Sequence, residues 1–121
     1  MDMQIETRLS DQIARYLDLA TSEAKLTAAN MANIDTPGYK AVGMDFESEM
    51  RSAMASVDQG LPAEPVHVRP VDGLIARPDG NNVSMDREGL NLAEAQLKFK
   101  TGVVLLREEY QRVMDAIHAD K

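Results

Sequence analysis

A chain of 121 residues carrying a formal charge of −7 has room for one small domain, and its acidity repels phosphate backbones and anionic lipid heads, which excludes nucleic acid as a natural partner. Hydrophobic residues make up 44% of the sequence, but there is no Trp, with two Phe and three Tyr, so the core lacks large anchors and is predicted to be thin. A thin core with no cofactor pocket in prospect points to completion by neighbouring subunits.

Residues 1–15 carry Asp2, Glu6 and Asp11 with no continuous apolar stretch, so neither a cleavable secretory signal nor a membrane span is predicted there. Over residues 5–34 the positions Ile5, Leu9, Ile13, Tyr16, Ala20, Ala24, Thr27, Met31 and Ile34 recur at intervals of three or four, the period of one helix stripe. Such a helix reaches roughly 40 Å at ~1.5 Å per residue, longer than a thin core needs. Thr36-Pro37-Gly38 ends it, because Pro lacks a donor and Gly permits the positive φ of a type II turn.

A short second helix is predicted over 45–57, with Phe46, Met50, Met54 and Val57 on one face and Asp45 near its start. Four prolines and three glycines over 56–86 then forbid any long helix. Two short extended pieces, 66–68 and 74–76, flank Asp72-Gly73 and are predicted to form a small hairpin with Pro70 on its edge. A second long helix is predicted from Asp86, taken as its N-cap, with Glu88 in the first turn. Its stripe, Leu92, Gln96, Phe99, Val103, Leu106, Tyr110, Val113 and Ile117, alternates steps of four and three, the seam of a coiled-coil-like pairing. Gly102 inside it either admits another backbone closely or marks a weak point.

The predicted fold is therefore mainly α. Long terminal helices over 1–35 and 86–121 pair as an antiparallel, coiled-coil-like hairpin, and 36–85 supplies a turn, a short helix and a loop-rich middle, all in one structural domain.

Sites for chemistry are absent from this pattern. His67 and His118 lie in no metal-ligand spacing, no cysteine is present, and neither a nucleophile elbow nor a phosphate-binding loop occurs. Residues 79–84 have Val83 and Ser84 where a calcium loop requires an oxygen ligand and Gly, so they are predicted to form a turn. The Asn82-Val83-Ser84 triplet is a pattern that arises by chance. Met31, Met44, Met50, Met54, Met85 and Met114 are read as core filler ahead of a binding groove.

One segment stands out, Ala28-Ala29-Asn30-Met31-Ala32-Asn33-Ile34-Asp35-Thr36-Pro37-Gly38-Tyr39-Lys40. Asn30 and Asn33 share a helix face near its end, where their amides can hold carbonyls left without partners. The string resembles the N-terminal signature of the bacterial flagellar rod, hook and axial protein family, close to A-N-x-A-N-x-x-T-P-G-Y. Asp45-Phe46 and residues 79–88 are similar to proximal-rod members of that family. The likeness covers both ends of the chain and about half its residues. One departure is that members carry Asn followed four residues later by Tyr in the second long helix, where Ala95 and Phe99 stand here.

The resemblance implies a structural, non-enzymatic subunit of the proximal rod of the basal body, which crosses the periplasm as a helical polymer transmitting torque. It implies export by the flagellar type III apparatus and no cofactor, metal or direct membrane insertion. The implied partners are self copies, other rod proteins, and the rod-to-ring junction protein and membrane ring at the rod base. Asn30, Asn33, Thr36, Pro37, Gly38 and Tyr39 form the family motif and its joint. Ile13, Tyr16, Met31, Phe99, Val103, Leu106, Tyr110, Val113 and Ile117 are the predicted assembly seam. A small acidic helical adaptor or export chaperone is the main alternative, with a cell-wall enzyme as a further one.

Overall fold

A computed structural model describes residues 6–119. Ile5, the first position of the predicted stripe, lies outside the described residues. The first helix, α1 (Arg8–Ala32), opens on a capping box: Thr7 Oγ1 accepts from Ser10 N at 3.0 Å and Ser10 Oγ accepts from Thr7 N at 2.8 Å. It ends before Ile34, two residues earlier than its periodicity indicates. Asn33 turns out of the helix, its backbone N and its Nδ2 both donating to Ala29 O, at 3.2 and 2.8 Å, which closes the last turn on itself. The predicted turn follows, with Gly38 at φ +76° and Tyr39 N donating to Thr36 O at 3.2 Å.

After a two-residue strand, β1 (Val42–Gly43), comes α2 (Phe46–Asp58), capped by Asp45 as its sequence indicates. It closes with a Schellman motif at Gly60, φ +68°, in which Leu61 N reaches Ser56 O and Gly60 N reaches Val57 O. The hairpin predicted across Asp72-Gly73 does not form. Residues 74–76 find no strand partner, and β2 (Arg69–Pro70) pairs instead antiparallel with β1, Val42 opposite Pro70 and Gly43 opposite Arg69. Pro70 offers no N–H to a ladder, and the next residue, Val71, donates to Ala41 O at 3.0 Å, which anchors the middle segment to the end of α1.

The last helix, α3 (Met85–His118), starts one residue before Asp86. Ser84 is its cap, its hydroxyl accepting from Arg87 N, and this leaves Asp86 and Glu88 in the first turn, where their charge meets the positive helix end.

Side-chain contacts fix α1 and α3 as an antiparallel pair: Thr7 meets Glu109, Tyr16 and Leu17 meet Gly102, Glu23 meets Lys98, and Asn30 meets Glu88. On α3 the buried column is Glu88, Ala95, Gly102 and Glu109, one heptad apart, and not the bulky stripe beside it. Small residues sit where the helices are closest, so the larger side chains are pushed to the flanks and only half covered. Gly102 is such a position, since a Cβ there would lie 2.5 Å from Leu17 Cδ2 and 3.1 Å from Tyr16 Cδ1. The neighbour it admits is a pair of side chains and not a backbone. The apolar core is accordingly small: Ile13, Leu19, Ala20, Ala41, Val83 and Ala95. The short helix α2 covers one side of the hairpin, where Phe46 packs edge-on to Tyr16 at 5.7 Å and beneath the Lys98 ammonium at 3.9 Å.

Candidate functional site, the clasp between the long helices

Where α1 ends and α3 begins, three stretches of backbone meet: the turn at 36–39, strand β1 and the loop 77–84. Asn30 stands at the centre and is buried to 1% exposure. Its Oδ1 accepts from Val42 N at 3.0 Å and from Tyr39 Oη at 3.1 Å. Its Nδ2 donates to Val42 O at 2.8 Å and to Glu88 Oε1 at 3.1 Å. An amide placed this way acts as an extra strand residue, satisfying both backbone groups of Val42 from a helix.

A second asparagine completes the arrangement. Asn81, fully buried, donates through Nδ2 to Asn33 O and Thr36 O, each at 2.8 Å, and accepts at Oδ1 from Val83 N at 2.8 Å. It caps the end of α1 from a distant part of the chain. Gly38 N donates to Asp79 O at 2.9 Å, Asn82 Oδ1 accepts from Ala41 N at 2.7 Å, and the Arg77 guanidinium reaches both Val83 O and Ile34 O. Thr36 Oγ1 donates to Asn33 Oδ1 at 3.0 Å, which holds the amide of Asn33 toward α1.

Of the predicted motif, Asn30 and Tyr39 bond each other, Asn33 and Thr36 bond each other, and Pro37 and Gly38 shape the turn between them. The target of the Asn30 amide is a strand carbonyl and not the helix end inferred from position alone. Asn81, Asn82, Arg77 and Glu88 carry as much of the clasp, and their local sequence reads only as turn and helix start. The carbonyls that Asn81 holds lie 45 and 48 residues away in the chain, so no local pattern marks them. Glu88 is fully buried, accepts at Oε1 from Arg87 Nη1 at 2.9 Å as well as from Asn30, and leaves Oε2 without a partner.

The seam residues are spread more widely. Ile13 is core, Tyr16, Met31, Val103, Leu106 and Val113 are half-buried, and Phe99, Tyr110 and Ile117 keep 45%, 42% and 39% of their surface exposed. Burial, and secondarily the charge of Glu23, raises the Tyr16 hydroxyl above its ordinary pKa. A cleft of about 210 Å3 between α1, α2 and residues 63–67 holds His67 against Glu49 at 2.9 Å. Among the described residues no group of three His, Asp or Glu is placed to hold a metal ion, and no helix is long and apolar enough to cross a membrane.

A helical hairpin with a polar centre that fixes backbone, and with apolar helix faces left open, defines the class of helical assembly subunits. No family profile matches the chain. It is 33% identical to the flagellar basal body rod protein FlgB of Salmonella typhimurium over 119 aligned positions, covering 84% of this chain and 86% of that one. Against the FlgB proteins of Yersinia ruckeri and Escherichia coli K12 the identities are 29% and 28%, covering 84% and 85% of this chain and 87% and 88% of theirs. The chain belongs to the FlgB family of flagellar basal body rod proteins, and its role is that of a structural subunit of the rod. No relative favours an adaptor or chaperone role.

Proposed function

We propose that the chain works mechanically and without catalysis, as a proximal-rod subunit whose terminal segments, 1–35 and 86–121, line a helical polymer while 36–85 projects from it. The observation that carries this reading is the exposure of Phe99, Tyr110, Met114 and Ile117 on α3, a row of large apolar side chains that α1 does not cover. Such a face gains its burial only from neighbouring subunits.

In this reading Ile13, Tyr16, Met31, Phe99, Val103, Leu106, Tyr110, Val113 and Ile117 serve as the seam of assembly, the first three chiefly within the hairpin and the rest chiefly between subunits. Asn30, Asn33, Thr36, Pro37, Gly38 and Tyr39 set the angle at which the middle segment leaves the tube wall. The partners are self copies and other rod proteins, with the junction protein and membrane ring at the rod base, and the type III export apparatus delivers the chain to the periplasm. Family membership supports these assignments. The Glu49 carboxylate is occupied by the N–H and ring of His67, a contact that braces the middle segment.

Tyr110→Asp and Ile117→Asp test the reading, because both residues are exposed in the lone hairpin and their change leaves the fold intact. Variants with wild-type helicity by circular dichroism but no motility, and basal bodies lacking rods by cryo-tomography, are the expected result. Motile cells with complete rods would overturn it.

A further inference from the structure

Residues 44–68 leave the clasp and return to it at one point. β1 and β2 pair at this neck, Val71 N closes it on Ala41 O, and Asp45 meets Arg69 across it at 3.6 Å. Within the excursion, α2 and the extended stretch after it are tied to each other, for the N and Nδ1 of His67 lie 3.0 and 2.9 Å from Glu49 Oε1. The stretch is also stiff, because Pro62 and Pro65 fix their own φ and hold Leu61 and Glu64 extended. The result is an arm with its own internal bonds.

Its bonds to the long helices are few by comparison. None of the thirteen residues of α2 is buried, and a cleft of about 210 Å3 lies between the arm and Arg15, Asp18 and Ser22 of α1. The seat consists of Phe46 on Tyr16 and beneath Lys98, the exposed Arg8–Asp58 ion pair, and Arg15 Nη2 donating to Leu61 O at 2.8 Å. Exposed ion pairs add little stability. Elements that bury so little open before the rest of a structure unfolds. Under the arm lie Tyr16, a seam residue, and Leu19, which lines the cleft and is 7% exposed.

We propose that residues 44–68 are a latched arm, which covers Tyr16 and Leu19 while the chain is free and lifts as one unit about the β1–β2 neck when the chain enters the rod. The contact is autoinhibitory, keeping the α1 face of a free copy from joining a neighbour. This rests on the reading of the chain as a rod subunit. Lys98 is the latch, since its ammonium lies over Phe46 of the arm while paired with Glu23 of α1 at 3.2 Å. The neck stays closed as the arm lifts, because Asn30 grips Val42 of β1 by both backbone groups.

Native-state hydrogen exchange of the full chain in low urea reads the latch by itself. Amides of 46–58 are expected to exchange together, about 100-fold faster than those in the middle of α1 and α3. Phe46→Ala is expected to quicken them further while those of α3 hold. Exchange of α2 only with global unfolding would overturn the arm, whatever the role of the chain. A second measurement locks the arm down. Ser22 and Ala53 border the cleft from α1 and α2, and the sequence has no cysteine of its own, so Ser22→Cys and Ala53→Cys can be paired. Their disulfide is expected to form in the oxidised purified chain, and its failure to form would overturn the seat. Cells carrying the double variant are expected to be non-motile when oxidised and motile when reduced, with each single variant motile throughout. Motile cells with the bridge intact would overturn the lifting step and leave the rod-subunit role standing.

Discussion

Asn30 holds Val42 by both of its backbone groups, accepting from N at 3.0 Å and donating to O at 2.8 Å, so a side chain on a helix takes the place of a neighbouring strand. The bonds tie residues twelve apart across the Thr36–Tyr39 turn, and the turn geometry is thereby fixed at both ends. The same amide touches Glu88 on α3, which links the direction of the middle segment to the pairing of the long helices.

Replacing Asn30 by Ala removes the partner of the half-buried Val42 N–H and C=O and is expected to cost about 2 kcal/mol of stability by urea unfolding. Asn30→Asp keeps the shape but turns the donor facing Glu88 Oε1 into a second carboxylate. It should cost more than the Ala change at neutral pH, because two like charges then face each other in a buried site. An Asp variant as stable as wild type at neutral pH would contradict the assigned amide orientation.

Asn81→Ala removes the donors that hold Asn33 O and Thr36 O, for an expected loss of about 2 kcal/mol. Hydrogen exchange at the end of α1 should quicken in this variant while the middle of α3 stays protected, since the contact is local in space although distant in sequence.

Gly102→Ala sets two effects against each other. Helix propensity favours Ala by about 1 kcal/mol. The new methyl, however, meets Leu17 and Tyr16 at under 3.2 Å, and overpacking of this kind costs about 1 to 3 kcal/mol. Net destabilisation is expected, relieved by Leu17→Ala in the same chain, and a double-mutant cycle reads the coupling directly. Additive effects would show that the helices simply move apart.

Tyr16 makes stability depend on alkaline pH. Its hydroxyl titrates higher in the folded chain than in the unfolded one, mainly through burial and then through Glu23. Its contribution is therefore full below the ordinary tyrosine value of about 10 and is lost as pH rises through the higher folded value. Urea midpoints measured across that range should fall less steeply in Tyr16→Phe than in wild type.

Helical period, proline and glycine placement marked the long helices, the turn at Gly38 and the Asp45 cap, because each follows from residues within a turn or two of one another. The start of α3 is misplaced by reading Asp86 as the cap, since Ser84 and Asp86 are both good caps and only the backbone entering from Val83 decides between them. The strand pairing was illegible for a stronger reason. Asp72-Gly73 looks like a hairpin turn locally, yet the available partner for residues 69–71 is β1, whose backbone is already held in place by Asn30. The α3 stripe has the helical period, but the column buried on α3 is Glu88, Ala95, Gly102 and Glu109 beside it, for periodicity shows that a face is apolar and not which neighbour covers it. Ala95 and Gly102, too small to stand out in a hydrophobic stripe, mark where the helices come closest.

The hairpin is bonded at both ends through acidic residues of α3, Glu88 to Asn30 at one and Glu109 to Thr7 at 3.1 Å at the other, with the Glu23–Lys98 ion pair at 3.2 Å and small apolar residues between. Apolar contacts alone resist separation but let parallel rods slide, because one methyl is much like the next. Two polar pins at opposite ends resist that slip. A turning shaft loads its longitudinal elements in shear, and a subunit pinned in this way keeps its two helices in step under twist, passing the load on as a rigid body.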